Sequence, residues 1–429
     1  MSSSTIVDSA RKDRLPRVLR PFARGQYRLL AAGLILALFS DGVWTVAAVW
    51  QVIAMAGGPA QVSVVASAAA IGMVAATLAG GVLADRVSQR SIIIGLEIVK
   101  TSAFVLVGGL ALAGHIGLLV VIVAAICGGI TTGMYYPAYS ALLPGVVAAE
   151  ELQAANGIEG FLRPVLFQAA GPMLAGVVIA AAAPGQAVLV AAAASIGAAV
   201  CYLFMAPVPS RRSPDTLRGP VARLIVSDLA EGFAYLWRTP WLWATLFFAT
   251  VLVLATMGPI EVLIPFALRD RVDGDAGSHA LVLAAFGVGA ALGSLIFASL
   301  PMPRRYLSLM FGIWMFSSLP LVLIGVAEHT WLFVLAGFLM GIIFDGPMVL
   351  WGTLLQRRVP PQLLGRVASL DFFVSVVLMP VSMAMAAPVG HAIGLTATFV
   401  VCGLVPLPVA VVFFFAARLR QDEIANPLT

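Results

Sequence analysis

Charge is what this chain has least of. Only 10% of its 429 residues are ionised, 20 acids against 25 bases, under half the ~25% usual in soluble domains. A water-facing surface large enough for this length cannot be built from so few charges, which excludes a soluble globular protein and a disordered one. Two lysines are present, Lys12 and Lys100. The one glycine-to-lysine spacing resembling a phosphate cradle, Gly95 to Lys100-Thr101, has Val99 where glycine is needed. ATP drive would therefore require a separate subunit. Cysteine is scarce too: Cys127, Cys201 and Cys402 lie far apart inside apolar runs, which excludes a disulfide scaffold and reads as small buried hydrophobes. No G-x-S-x-G element or zinc-ligand spacing occurs, so no enzyme, metal or cofactor is expected.

What fills the space is apolar: 61% of the residues are hydrophobic, with a mean hydropathy of +1.02. A bilayer-crossing helix takes ~20 such residues. Twelve uninterrupted stretches are long enough, near 29–56, 62–84, 91–113, 117–143, 156–182, 186–206, 241–268, 279–300, 305–326, 330–355, 365–390 and 394–418. Their length and lack of strict alternation exclude barrel strands. The first is too long for a signal-peptide core and eleven more follow, so it is read as a mature helix. The fold class is an all-α membrane protein with twelve transmembrane helices.

The bases set its orientation. Twenty-one of the 25 fall before the first span, in alternate loops, or in the tail. By the positive-inside rule both termini are cytoplasmic. The basic excess faces lipid headgroups, so nucleic acid is not expected as a partner. The chain also repeats at an offset of 212 residues, with Gly81 aligned to Gly293 and Leu142-Leu143 to Leu354-Leu355. Two six-helix bundles follow, 29–206 and 241–418, between cytoplasmic segments 1–28 and 419–429. The joint 207–240 opens with Pro207, Pro209, Pro214 and Pro220, then shows apolar residues at helical spacing. It reads as a loop followed by an amphipathic surface helix.

After the second stretch comes Gly81-Val82-Leu83-Ala84-Asp85-Arg86-Val87-Ser88-Gln89-Arg90. This resembles the loop 2–3 signature of the major facilitator superfamily, departing from it at Ser88 and Gln89. Tyr136-Pro137-Ala138, Asn156-Gly157, Gly171-Pro172 and Leu364-Gly365-Arg366 extend the likeness to the bacterial branch containing macrolide-efflux, multidrug-efflux and enterobactin-exporter proteins. The resemblance implies the major facilitator fold, with Gly81, Asp85, Arg86 and Arg90 forming a conformational latch against span eleven. Gly171-Pro172-Met173-Leu174-Ala175-Gly176 resembles the core of the antiporter motif of drug–proton exporters, and a Gly-Pro pair in a membrane helix reads equally as a helix kink. The arginine signature of span four found in many drug–proton antiporters is missing, since 116–143 holds no Arg or Lys.

Ionisable groups in hydrocarbon are expensive, so each is a functional candidate. Asp41 lies ~20 Å along a helix from Arg28, near mid-membrane, and Asp345 sits at similar depth relative to Arg357. The family architecture places both beside the cavity. With Glu261 they are the proton-coupling candidates, because His115, His279, His329 and His391 all fall at outer ends of spans. Glu97 with Lys100, and Glu159 with Arg163, have the spacing of self-neutralising helical pairs; Arg163 is alternatively a holder of an anionic substrate group. Trp44, Met134, Tyr135, Tyr136, Met348 and Trp351 are candidates to line an adaptable cavity.

The expected function is secondary active transport by alternating access in the plasma membrane: proton-coupled efflux of amphiphilic small molecules by a monomer. A siderophore exporter of narrow specificity, and an importer or sodium-coupled carrier on the same fold, are the alternatives.

Overall fold

The computed structural model describes residues 16–84, 87–148, 151–207, 233–300, 302–360 and 363–428. Among the described residues there is no strand, and twelve helices are long and apolar enough to cross a membrane. They are α1 (Gly25–Ala54), α2 (Pro59–Ala84), α3 (Gln89–Leu112), α4 (Leu118–Leu142), α5 (Ala154–Ala181), α6 (Pro184–Leu203), α7 (Pro240–Val272), α8 (Ala276–Ser299), α9 (Tyr306–Val326), α10 (Thr330–Arg358), α11 (Leu370–Ile393) and α12 (Leu395–Ala416). A short helix α13 (Leu419–Ala425) follows. The expected amphipathic joint lies largely outside the described residues; its end, 233–238, is a helical turn leading into α7.

Local chemistry fixes the helix starts. Pro59, Pro184 and Pro240 open α2, α6 and α7, where a missing N–H removes no hydrogen bond and φ is already helical. Ser88 caps α3 by accepting from the Ser91 N–H, and Asp275 caps α8 through Ser278 at 2.8 Å. That bond holds the Asp275 carboxyl below the usual carboxylate range. Two spans carry a π-helical turn, Pro164–Ala170 in α5 and Pro259–Leu263 in α7, each opened by a proline that cannot donate to the preceding turn. The irregularity in α5 thus spans the residues just before Gly171-Pro172, the pair expected to kink it.

The chain forms two compact units, one from the segment up to Gln51 plus Ile71–Thr216, the other from Val52–Ala70 plus Leu217 onward. Val52–Ala70 therefore groups with the second unit, although sequence order places it in the first bundle. In the first unit α3 packs on α4 and α6, around Tyr27, Leu34, Ile93, Tyr139 and Tyr202. The Gly42 region of α1 meets α5 without a side-chain spacer: a Cβ on Gly42 would lie 2.6 Å from the Phe167 carbonyl oxygen, and one on Gly171 would lie 2.8 Å from Gly42 Cα.

In the second unit α8 packs along α10 and α7 against α11. Ser382 fastens the latter pair, donating to the Leu254 carbonyl at 2.7 Å and accepting from the Gly258 N–H at 2.7 Å. Polar bonds and small residues are what hold helices together where lipid competes equally for apolar surface. Arg271 closes the end of α9, donating to the carbonyls of Ile324 and Gly325 at 3.1 and 2.8 Å and to Thr396.

The α8–α10 seam is backbone against backbone at Gly341, where a Cβ would collide with the Phe286 carbonyl oxygen and lie 2.7 Å from the Ala290 nitrogen. Gly312 in α9 has no atom within 4 Å of such a Cβ. Gly312→Ala should raise thermal stability slightly, by up to about 1 kcal/mol from helix propensity. Gly341→Ala should lower the melting temperature despite the same propensity gain. Parallel thermal unfolding of both variants in one detergent checks the contrast; equal effects would refute the seam.

Candidate functional site

The charged groups of the first unit converge. Lys100 of α3 has no exposed surface, and its ammonium donates to Asp41 Oδ1 of α1 at 2.9 Å and to Glu97 Oε1, one turn back, at 3.1 Å. Glu97 is equally enclosed and accepts at Oε2 from Ser195 of α6 at 2.6 Å. Thr101 in turn donates to Ser195 Oγ at 2.8 Å. Asp41 differs from its partners: its side chain is 23% exposed. Two carboxylates thus share one ammonium, leaving a formal charge of −1.

Several local features assemble this cluster. Glu97 and Lys100 share a helical face because they are three apart. Asp41 adjoins the Gly42 close approach to α5. One turn beyond, Trp44 stacks on Phe104 with centroids 4.4 Å apart and planes 15° from parallel, closing that side with aromatic surface. Ser40 donates to the Ala191 carbonyl at 2.7 Å, fixing α1 against α6.

The remaining expected site residues are dispersed. Met134 and Tyr135 are buried in the first core, the Tyr135 hydroxyl hydrogen-bonded to that of Tyr202. The Tyr136 side chain lies outside the described residues. Arg163 donates to Glu159 Oε1 at 3.0 Å, as its spacing implied. Arg90 bonds the carbonyls of Tyr202 and Leu203 at 3.0 and 2.7 Å, closing the end of α6. Asp85 and Arg86 lie outside the described residues, and so does the surrounding of Gly81 near the end of α2.

In the second unit, Asp345 of α10 and Glu261 in the π turn of α7 are half-buried and make no ion pair among the described residues. Met348 is 47% exposed. Trp351 is buried, with its ring against Trp241 and its N–H donating to Asp371 Oδ2 at 3.0 Å.

Residues 17–428 match the family described as transmembrane secretion effector. The chain belongs to that family. It is a multi-pass transporter of the major facilitator type and not an enzyme. It is similar to the multidrug efflux pump Tap of Mycolicibacterium fortuitum, 26% identical over 94% of this chain and 98% of that one. It is also similar to macrolide efflux protein A of Streptococcus pyogenes, 22% identical over 80% of this chain and 84% of the relative. Among solved structures, a bacterial homologue of the human lysosomal transporter Spinster superposes with a TM-score of 0.69 at 15% identity, covering 94% of this chain and 98% of that one. The nucleoside transporter NupG gives 0.63 at 16%, covering 92% and 99%. These likenesses establish the fold.

Removing one member of a buried ion cluster leaves charge uncompensated, at a cost of roughly 3–5 kcal/mol. Lys100→Met should therefore destabilise the protein strongly. Adding Asp41→Asn and Glu97→Gln should restore much of the loss. Thermal unfolding of the single and triple variants checks this, and an unchanged single variant would contradict the cluster.

Proposed function

We propose that the chain is a proton-driven exporter of amphiphilic small molecules in the plasma membrane, with both termini cytoplasmic, and that the Asp41–Lys100–Glu97 cluster is its coupling site. The observation carrying this reading is the two-to-one ratio of carboxylates to ammonium at a buried site with one accessible member. A proton arriving at Asp41 forms the neutral acid and removes the charge that ties α1 to α3. Lys100 then remains paired with Glu97 alone, and the cluster becomes neutral overall. Loss of the proton restores the tie. Such a two-state electrostatic link is the kind of element a gradient can bias.

The names of the relatives, a multidrug pump and a macrolide exporter, support efflux of bulky, partly apolar compounds. The orientation rests on the arginine distribution. Asp345 and Glu261, without cations among the described residues, are secondary coupling candidates, and half-exposed Met348 is a candidate contact for an apolar substrate.

The test uses protein in liposomes with imposed gradients and a fluorescent amphiphile or a macrolide. A pH gradient should drive accumulation and a sodium gradient should not. Asp41→Asn should cut pH-driven accumulation at least tenfold while leaving substrate binding, measured by tryptophan quenching, within a few-fold. Full pH-driven transport in both Asp41→Asn and Glu97→Gln would defeat the assignment, and sodium-driven transport would replace the coupling ion.

A further inference from the structure

A second charged site lies in the other unit, at the end of α10 that carries Arg357 and Arg358. A cleft of about 470 Å³ opens there between the start of α7, the last turn of α10 and the segment after α12. Its ionised lining is Arg238, Arg357, Arg358 and Asp422, three cations against one anion. That volume falls within the ~300–1,000 Å³ range typical of small-ligand sites.

The three arginines are held differently. Arg358 is fixed: its guanidinium sits 2.6 Å from Asp422 Oδ1, donates to Oδ2 at 3.0 Å, and lies 4.7 Å from the Trp241 ring centroid. Asp422 is thereby committed to Arg358. Arg238 and Arg357 are exposed and have no carboxylate partner among the described residues. Among the described residues the cleft therefore offers two guanidiniums without a carboxylate partner beside a third that Asp422 neutralises. Thr239, Pro240 and Trp241, the first residues of α7, form another part of the wall. They bring the positive end of a long helix to the same space.

We propose that this cleft binds a phosphate ester, supplied by the headgroup of an anionic phospholipid. Guanidinium groups match phosphate oxygens in geometry and remain charged at all relevant pH. The lipid source is favoured by what adjoins the arginines. Trp237 is 70% exposed and Phe233 44% exposed on the turn leading to Arg238. Aromatic side chains beside cations at the end of a spanning helix are the arrangement found at headgroup depth. The arginines hold the phosphate, and the aromatic turn lies along the glycerol and upper acyl region.

The consequence extends into the bundle through contacts already fixed. Arg358 covers Trp241, whose ring meets Trp351, whose N–H holds Asp371 of α11. A bound headgroup thus consolidates the junction of α7, α10 and α11 rather than a peripheral loop.

The full chain would be purified in a zwitterionic detergent and probed with phosphatidylglycerol, phosphatidylcholine and inorganic phosphate, reading bound lipid by native mass spectrometry and melting temperature in parallel. Two double variants carry the comparison: Arg238→Gln with Arg357→Gln, and Arg304→Gln with Arg305→Gln, an equal charge loss at another exposed pair. Phosphatidylglycerol should be retained on the wild type and raise its melting temperature, and phosphatidylcholine should not. The first double variant should bind it at least tenfold more weakly while melting normally without lipid; the second should bind as the wild type does. Equal loss in both variants, or none in the first, overturns the site. Stabilisation by inorganic phosphate at matched concentration, without retained lipid, overturns the lipid source and leaves a soluble phosphate ligand.

Discussion

An ammonium group sealed from water between two carboxylates constrains everything around it in the first unit. Moving one such ion from water into a low-dielectric interior costs several kcal/mol even after relaxation, so Lys100 is tolerable only while Asp41 and Glu97 stay within hydrogen-bond reach. That requirement dictates where α1 crosses α5, since Asp41 is delivered by the stretch whose next residue, Gly42, admits backbone contact. It also accounts for the hydroxyl of Ser195, which donates to the Glu97 oxygen that Lys100 does not reach, and for that of Thr101, which donates to Ser195 in turn.

The two halves of the chain share a helical plan but not this chemistry. At the internal offset of 212 residues the counterparts of Asp41, Glu97 and Lys100 are Val253, Leu309 and Gly312. The second half retains its close-packed glycine seam and interhelical serine bonds, which are structural, and its acids Asp345 and Glu261 make no ion pair among the described residues. Three of its arginines, Arg238, Arg357 and Arg358, line the cleft beside Trp241. The repeats therefore differ in where their charge lies: the first buries a three-membered ion cluster between helices, and the second lines a cleft with Arg238, Arg357 and Arg358.

The fold was legible because hydrocarbon leaves few choices. Twelve long apolar runs can only be helices, and their expected limits fall within about five residues of those observed, the widest difference being at the start of α11, Leu370. Individual mid-membrane groups were legible as well, since Asp41 and Lys100 are conspicuous in so uncharged a chain. Their pairing was not, because helical spacing reports neighbours on one helix and nothing about the helix opposite. A signal did exist. Asp41 lies ~20 Å from Arg28 and Lys100 ~15 Å from Arg90 at helical rise, so two opposite charges sat at similar depth in the same half. Trp351 shows the converse difficulty: an indole in a span reads equally as cavity wall or as packing, and its bond to Asp371 depends on how α10 and α11 are rotated. Similarly, the kink was expected at Gly171-Pro172, while the departure from α geometry begins at Pro164 and ends just before that pair.

The π turns in α5 and α7 have a further consequence. Each inserts one residue more than an α-helix would use over the same rise, so part of the turn's backbone lacks its ordinary i to i−4 partner. Where α8 and α10 touch through main-chain atoms there is no play between them, and they must travel as a single strut. A span with slack in its own ladder yields to a change in tilt more readily than such a seam, and Pro164–Ala170 and Pro259–Leu263 are where α5 and α7 hold a surplus residue. Within the second unit, the α8–α10 seam and the π turn of α7 thus set a stiff pair of helices beside a span that can yield.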